Sequence, residues 1–231
     1  MDSLGSAYAD QADYGDFGVS STYTTTPGTA SYTTTTSNML TVVQNFGFLA
    51  PNILGILTTV TNHGPASNVV FQRDVDWDVY PTEFNENSFG PAIVGNVIDS
   101  SYYGFENPDP AAAYGSSCAG GCNFTGDLGA GIKINLGMIA SGGSDTFMYL
   151  YGISQIGESV NGLIGQGEGL DAYYGIATQS SENGAYPNLG ANSAIIGVAN
   201  ATTVPEPSSW ALFLTVAGGI GFGFRRRLRA L

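Results

Sequence analysis

The chain has 231 residues and carries 19 acidic side chains against six lysines and arginines, for a formal net charge of −13 at neutral pH. Four of those six basic residues lie at positions 225–229, so everything before them holds two basic residues against all 19 acidic ones, a net charge of −17. Such a charge repels nucleic acid and anionic lipid headgroups, which excludes both as partners of that part of the chain. The length fits a single domain with a short terminal segment.

Residues 1–38 form a polar, threonine-rich segment. The chain starts without the basic and apolar stretches of a secretory signal, yet Ala7-Tyr8-Ala9 has the small-residue pattern of a signal-peptide cleavage site. We therefore expect a signal peptide to be encoded upstream of Met1. Further on, Pro27-Gly28 separates two Thr/Tyr-rich runs and predicts either an edge hairpin or a partly disordered stretch.

Residues 39–203 are predicted to form one all-β domain, an antiparallel β-sandwich of jelly-roll-like type, because short apolar runs alternate with turn signals about every 8–12 residues. The predicted strands are 40–50, 53–62, 67–80, 91–100, 130–136, 145–153, 170–179 and 193–203. Apolar residues at helical spacing predict one short helix at 158–164, and residues 103–125 are predicted to be a loop. Strand 145–153 is apolar on both faces and is therefore expected at the centre of a sheet.

The segment 67–80 shows the clearest period-two alternation in the chain. Its apolar face, on which Arg73 also lies, comprises Val69, Phe71, Val75, Trp77 and Val79. Its polar face comprises Asn68, Gln72, Asp74, Asp76 and Asp78. We expect Trp77 to be a core residue rather than a sugar-binding platform. We expect Arg73 to pair with a carboxylate, because an unpaired buried charge is costly.

Three aspartates of that polar face, Asp74, Asp76 and Asp78, are the candidate ligands for a calcium ion. Side chains on one strand face follow each other at about 7 Å, whereas calcium needs about six to eight oxygens that converge on one point. A straight row converges only with help from a neighbouring loop. The favoured interpretation is therefore a solvated acidic face that discourages aggregation, and no other cofactor is predicted.

Cys118 and Cys122 are the two cysteines of the chain. In an oxidising compartment, a short disulfide within a loop is the favoured interpretation, and Gly120 and Gly121 give the backbone the freedom to close so small a ring. A zinc site would need more ligands than this pair and the single histidine supply. A free dithiol is the remaining alternative.

Support for catalysis is weak. His63, the single histidine, lies in a turn beside Gly and Pro, and no nucleophile-elbow pattern occurs. Two carboxylates placed as in a glycoside hydrolase would leave no signature in the sequence, so that activity stays open as an alternative. Tyr102-Tyr103 and Tyr173-Tyr174 are the candidate surface aromatics for stacking on sugar rings.

The segment 204–231 has three parts in a fixed order. Pro205-Glu206-Pro207 comes first, an uncharged run from Ser208 that contains Trp210 follows, and Arg225-Arg226-Arg227 stands directly after it. Residues 210–224 are fewer than the roughly 20 that a spanning helix needs, but snorkelling arginines and an interfacial tryptophan lengthen the segment. We therefore predict a single C-terminal transmembrane helix bounded by Trp210 and the arginines, with a cytoplasmic C-terminus. A core element followed by a basic tail is the alternative.

This tail closely resembles the PEP-CTERM sorting signal of Gram-negative bacteria, in the order of its parts and in its position. The resemblance implies that Pro205, Glu206 and Pro207 are recognised by an exosortase, a transpeptidase-like membrane enzyme that cleaves there. It also implies export across the inner membrane as a single-pass intermediate and a final place at the cell surface or in an extracellular matrix. Two further blocks, 60–64 with 69–84 and 129–167, resemble domains of unassigned activity that are often found upstream of such tails.

We therefore expect a non-catalytic exported protein of the cell surface or of the exopolysaccharide matrix of a biofilm. Its expected partners are the exosortase, the membrane through the C-terminal helix, and exopolysaccharide, with no nucleic acid. The alternative is a secreted hydrolase that acts on matrix polysaccharide. The single histidine, the scarcity of lysine and arginine and the abundance of Gly, Ser and Thr favour the first function.

Overall fold

The computed structural model describes residues 18–26, 29–36, 39–79, 82, 84–107, 109–154, 172–180 and 193–199. All of them belong to one unit of the chain, Met1–Ala201. Every helix-or-strand element among these residues is a β-strand, and the two sheets are antiparallel, which confirms the predicted all-β class for this part of the chain. The helices predicted at 158–164 and 210–224 lie outside the described residues, and the jelly-roll connectivity stays a prediction.

The described strands form two sheets. Numbered in chain order, they are β1 (Gly18–Thr26), β2 (Thr29–Thr36), β3 (Leu40–Ala50), β4 (Ile53–Asn62), β5 (Ser67–Asp76), β6 (Glu86–Ala92), β7 (Val97–Ser101), β8 (Gly120–Gly126), β9 (Gly129–Ile139), β10 (Ser144–Ile153), β11 (Ala172–Ser180) and β12 (Ser193–Ala199). The large sheet has the order β1-β2-β3-β4-β10-β12-β11-β6-β8, and the small sheet has the order β5-β9-β7.

Several strand bounds differ from those predicted. Strand β5 ends at Asp76 rather than at residue 80, because its partner β9 begins at Gly129 and the ladder closes with the pair Asp76–Gly129. The segment 91–100 is not one strand. A turn that includes Gly95, with φ of 62°, redirects the chain from β6 in the large sheet to β7 in the small one.

Strand β8 begins inside the segment 103–125, which the sequence predicts to be a loop, and ends one residue beyond it. Among the described strands it forms the edge of the large sheet and pairs with β6 alone, and most of its residues are exposed. An exposed edge strand needs no alternating apolar residues, and for that reason its sequence carried no strand signal.

The core lies between the inner faces of the two sheets. Phe71 of β5 crosses the interface, with its ring centroid 5.3 Å from Phe147 and 5.8 Å from Tyr149 of β10. On β9, Ile132 is fully buried in the same cluster. Burial of each such side chain contributes about 1.5–3 kcal/mol, so this shared apolar layer holds the two sheets together.

Strand β10 lies between β4 and β12 in the large sheet. Residues 147–150 of β10 are all buried, so both of its faces are covered. This confirms the central position predicted from its apolar residues on both faces.

The threonine-rich segment forms a hairpin at the edge of the large sheet. Strands β1 and β2 pair with each other, and β2 also pairs with β3. Of the two predicted alternatives for this stretch, the edge hairpin is the one observed from residue 18 onward, and it continues the sheet of the domain.

The outer face of the small sheet positions the polar side chains described below. Central strand β9 places Lys133 beside Gln72 of β5 and Asp99 of β7, and places Gly131 beside Asp74. Because Ile132 lies in the core and side chains alternate along a strand, Gly131 and Lys133 face outward. Residues 102–117, which we name the cover loop and of which 108 is not described, contact this outer face.

Candidate functional site

Asp74 lies half-buried beneath the cover loop instead of on a solvated face. The Tyr114 hydroxyl donates a hydrogen bond of 2.7 Å to its Oδ1, and the Gln72 amide donates to its Oδ2. A Cβ at Gly131 would overlap the Asp74 carboxylate, so the glycine makes room for it. Burial raises the pKa of Asp74 to about 6, against the two hydrogen bonds, which lower it.

Lys133 is the basic side chain of this polar cluster and is 3% exposed. Its Nζ donates a hydrogen bond to the Ala112 carbonyl and lies 4.1 Å from the centroid of the Tyr114 ring. Burial lowers the pKa of Lys133, while the nearby carboxylates, Asp99 first among them, raise it. The ammonium therefore binds two residues of the cover loop to the sheet below.

Two further carboxylates hold the same loop. Glu106 accepts hydrogen bonds from the backbone N–H groups of Gly115, at 2.8 Å, and Ser116, at 2.7 Å, and from the Ser101 hydroxyl at 2.8 Å. Asp99 accepts a 2.6 Å bond from the Ser117 hydroxyl. Each charged group of the cluster thus contacts the fold itself, and the arrangement works as a polar anchor for the cover loop.

The other two predicted calcium ligands are not gathered with Asp74. Asp76 ends β5 and Asp78 follows it, and both are exposed. Burial first, then the charges of Asp78 and Asp127, raise the pKa of Asp76. Within the described residues, no three His, Cys, Asp or Glu side chains are placed to hold a metal ion, so the three aspartates do not form such a group.

Glu86 is a buried carboxylate that sequence reasoning missed. Its two oxygens accept 3.3 Å hydrogen bonds from the backbone N–H groups of Val79 and Leu128, and burial raises its pKa. It joins the segment after β5 to the start of β9. No pattern in the sequence around it distinguishes such a buried acid from an exposed one.

Aromatic rings are exposed where the cover loop leaves β7. Tyr102 stacks on Phe124 of β8 with ring centroids 4.1 Å apart and planes inclined by 24°. Tyr103 packs edge to face against Phe105, with centroids 5.9 Å apart. Of the predicted surface aromatics, Tyr103 is exposed and Tyr102 is partly buried against the core. The side chains of Tyr173 and Tyr174 lie outside the described set.

In the structure, Cys118 and Cys122 are joined by a disulfide, with their Cα atoms 5.1 Å apart. Gly121, inside the ring, has φ of 88°, a conformation that favours glycine. Cys122 belongs to β8 rather than to a loop, and the Cys118 N–H donates to the Ser100 carbonyl of β7. The ring therefore fastens the end of the cover loop to both sheets.

Three other predicted positions have clear partners. His63 is exposed and its Nε2 lies 2.9 Å from the Thr41 hydroxyl, so among the described residues its partner is not a carboxylate. Trp77 packs against the core, 5.4 Å from the Tyr151 ring, which confirms its structural role. Arg73 does not pair with a carboxylate among the described residues. It donates to the Tyr151 hydroxyl and lies over that ring at 5.2 Å.

A strongly acidic β-domain, followed by Pro-Glu-Pro, an uncharged run and an arginine cluster, has the layout of an exported protein that carries its own sorting signal. Residues 203–227 match the family model of the PEP-CTERM protein-sorting motif. The chain therefore carries a PEP-CTERM sorting signal, which implies export, a membrane-anchored intermediate and processing by an exosortase.

The family match covers the tail and not the β-domain. No curated protein and no solved structure matches the chain. The sorting motif, Pro205-Glu206-Pro207, and the predicted membrane boundaries, Trp210 and Arg225-Arg226-Arg227, lie outside the described residues. Among those that are described, no helix is long and apolar enough to cross a membrane.

Proposed function

We propose that this protein is a non-catalytic component of the cell surface or of a biofilm exopolysaccharide matrix, which its β-domain binds once an exosortase has processed the tail. The proposal that the protein is non-catalytic is supported by one observation: the carboxylates beneath the cover loop are hydrogen-bonded to other groups of the fold. Asp74, Asp99 and Glu106 accept hydrogen bonds from the fold's own hydroxyl, amide and backbone groups. A catalytic carboxylate has to be within reach of its substrate, and these hold a loop in place.

In this proposal the tail acts before the domain does. Pro205-Glu206-Pro207 is the recognition motif, and Trp210 and Arg225-Arg226-Arg227 mark the two boundaries of a transient transmembrane helix. Cleavage then releases the acidic domain from its basic segment, which leaves a soluble, highly charged protein on the outside.

Intact-mass analysis of the protein recovered from its own host tests the sorting step. A C-terminus between Pro205 and Ser208 supports cleavage by the exosortase. A mass that retains residues 210–231 would mean a permanent anchor and would contradict this part of the proposal.

Binding to the matrix is tested with the same recovered protein. We expect it to co-sediment with exopolysaccharide purified from the host, and we expect an unrelated secreted protein of similar net charge to stay in the supernatant. Equal sedimentation of both proteins, or of neither, would contradict a role in the matrix.

A hydrolase of matrix polysaccharide is the second candidate, and one observation favours it. The pKa of Asp74, about 6, is in the range that suits a general acid in glycoside hydrolysis. Release of reducing ends from host exopolysaccharide, lost in Asp74→Asn, would establish this alternative. No release by the folded wild-type protein supports the non-catalytic function.

A further inference from the structure

Three exposed aromatic rings belong to residues 102–105, which follow β7, or pack against them, and we name them the aromatic patch: Tyr103, Phe105 and Phe124. Their exposed fractions are 40%, 50% and 48%. The rings are held in place, because Tyr103 packs against Phe105 and the Tyr102 ring backs Phe124. Grouped aromatic side chains that a fold fixes without burying them are typical of binding surfaces.

Three exposed aspartates lie near Gly104 or near one another at the end of β5, and we name them the acidic rim: Asp76, Asp78 and Asp127. Gly104, between the first two rings of the patch, packs against the end of β5, since a Cβ on it would lie 2.8 Å from the Asp76 Cα. The chain leaves β8, which carries Phe124, directly into Asp127. The charges of Asp78 and Asp127 both act on Asp76, so each of these two carboxylates is close enough to Asp76 to repel it.

Within the part of the chain that the structure describes, no lysine or arginine is free to offset this charge. Before the C-terminal arginines the sequence contains two basic residues, Arg73 and Lys133. Arg73 is bonded to Tyr151 in the core layer, and Lys133 is buried beneath the cover loop. A polysaccharide rich in uronic acids would therefore meet carboxylates without a cation to pair with, and it would be repelled.

From this geometry we infer that the aromatic patch and the acidic rim bind a polysaccharide whose sugars carry protonated amines. The inference rests on the proposed matrix function and names the chemical class of its ligand. Ring faces attract ammonium groups through the cation–π interaction and cover the apolar face of a sugar. The carboxylates of the rim pair with the same ammonium groups, so charge and shape favour one class of polymer.

Titration with oligosaccharides of defined length tests this class. The protein is purified from its host, and the probes are glucosamine oligomers, their fully N-acetylated counterparts and galacturonate oligomers, at a pH where the amines are protonated and the rim is ionised. We expect glucosamine oligomers to bind about tenfold more tightly than the acetylated ones, which lose the cation. We expect added salt to weaken that binding and galacturonate oligomers not to bind.

Variants locate the binding on the molecule. Tyr103→Ala and Phe105→Ala should each weaken binding of glucosamine oligomers about fivefold, and Asp76→Asn with Asp127→Asn should weaken it by a similar factor. Because the amide variants keep the side-chain shape, they test the site even if loss of a ring disturbs the fold. The matched controls are Met138→Ala, at an exposed apolar residue, and Asp145→Asn, at an acidic residue. Both residues lie at the opposite end of the strands, so neither variant should change the affinity for glucosamine oligomers.

The outcomes separate this inference from the function on which it rests. Equal affinity for the amine and acetylated oligomers, tighter binding of galacturonate, or binding that the patch and rim variants leave unchanged would each overturn the inference. Protein that binds the host matrix but none of the amine probes would also overturn it and leave the proposed function standing. Protein that binds neither the matrix nor the probes would contradict both.

Discussion

Asp74 has its carboxylate between Tyr114 and Gln72, where burial raises its pKa from 3.8 to about 6. The folded protein therefore binds the proton of the Asp74 carboxyl group more tightly than the unfolded chain does. The contribution of Asp74 to the free energy of unfolding is complete below the unfolded pKa and is lost as the pH rises through the folded pKa. Lys133 and Glu106 act on the same group, the first lowering and the second raising its pKa.

The substitution Asp74→Asn should remove that loss. The amide oxygen still accepts from Tyr114, and no charge has to be buried, so we expect the variant to exceed wild type in free energy of unfolding by about 1–3 kcal/mol at about pH 8. Near pH 4, where the wild-type carboxyl is largely protonated, the two proteins should be nearly equal. Urea denaturation at both pH values measures the difference, and a gap that does not change with pH would contradict burial as the cause.

At the scale of elements, the approach of β11 to β9 depends on a missing side chain. Gly175→Ala would place a Cβ 2.9 Å from Cδ1 of Ile132, whose side chain is fully buried and would have to shift. We expect a loss of about 1–3 kcal/mol in the free energy of unfolding. Gly47→Ala in β3 is the matched control, because its Cβ would meet nothing within 4 Å. Similar losses in both variants would show that the glycine backbone, and not the packing of the sheets, matters.

The disulfide ring between Cys118 and Cys122 joins the end of the cover loop to β8. Its contribution to stability therefore concerns how these two segments are held together. A disulfide that closes so short a loop lowers the conformational entropy of the unfolded chain, which raises the free energy of unfolding by about 2 kcal/mol. We expect the double variant Cys118→Ala, Cys122→Ala to be destabilised by that amount, and its thermal midpoint should match that of the reduced wild-type protein. Alkylation of unfolded, unreduced protein from the host checks the premise, since any labelled thiol there would show that the disulfide does not form.

The strands could be predicted from the local alternation of apolar and polar residues. Contacts between residues distant in sequence could not be predicted in this way. The faces of β5 followed from period two, so Phe71 was expected inward and Asp74 outward. That Tyr114, 40 residues further on, covers Asp74 could not be predicted, since a loop has no periodicity that reports where it lies. The polar anchor was therefore missed, and Asp74 was assigned to a solvated face.

At the scale of the whole molecule, charge separates the chain into an acidic domain and a basic tail. The sorting motif was predictable because its residues act as a linear peptide, independent of any fold, whereas the aromatic patch depends on the folded chain. Phe105 and Phe124 come from different segments, a loop and a strand, and no spacing in the sequence brings them together. For this reason the sequence of the tail alone indicates export, whereas the ligand of the domain is set by side chains that only the fold brings near one another.

Replacement of Pro205, Glu206 and Pro207 by alanine should prevent processing of the tail without changing the domain. The domain lies upstream of the motif, so we expect its fold and its binding to matrix to be unchanged. The exosortase should no longer process the chain, and the protein should accumulate in the membrane fraction with residues 210–231 still present. Thr202→Ala, directly before the matched residues 203–227, is the control and should be processed as wild type. Intact mass and fractionation measure both effects. Normal cleavage of the alanine variant would mean that the enzyme recognises the apolar run and the arginines rather than the Pro-Glu-Pro motif.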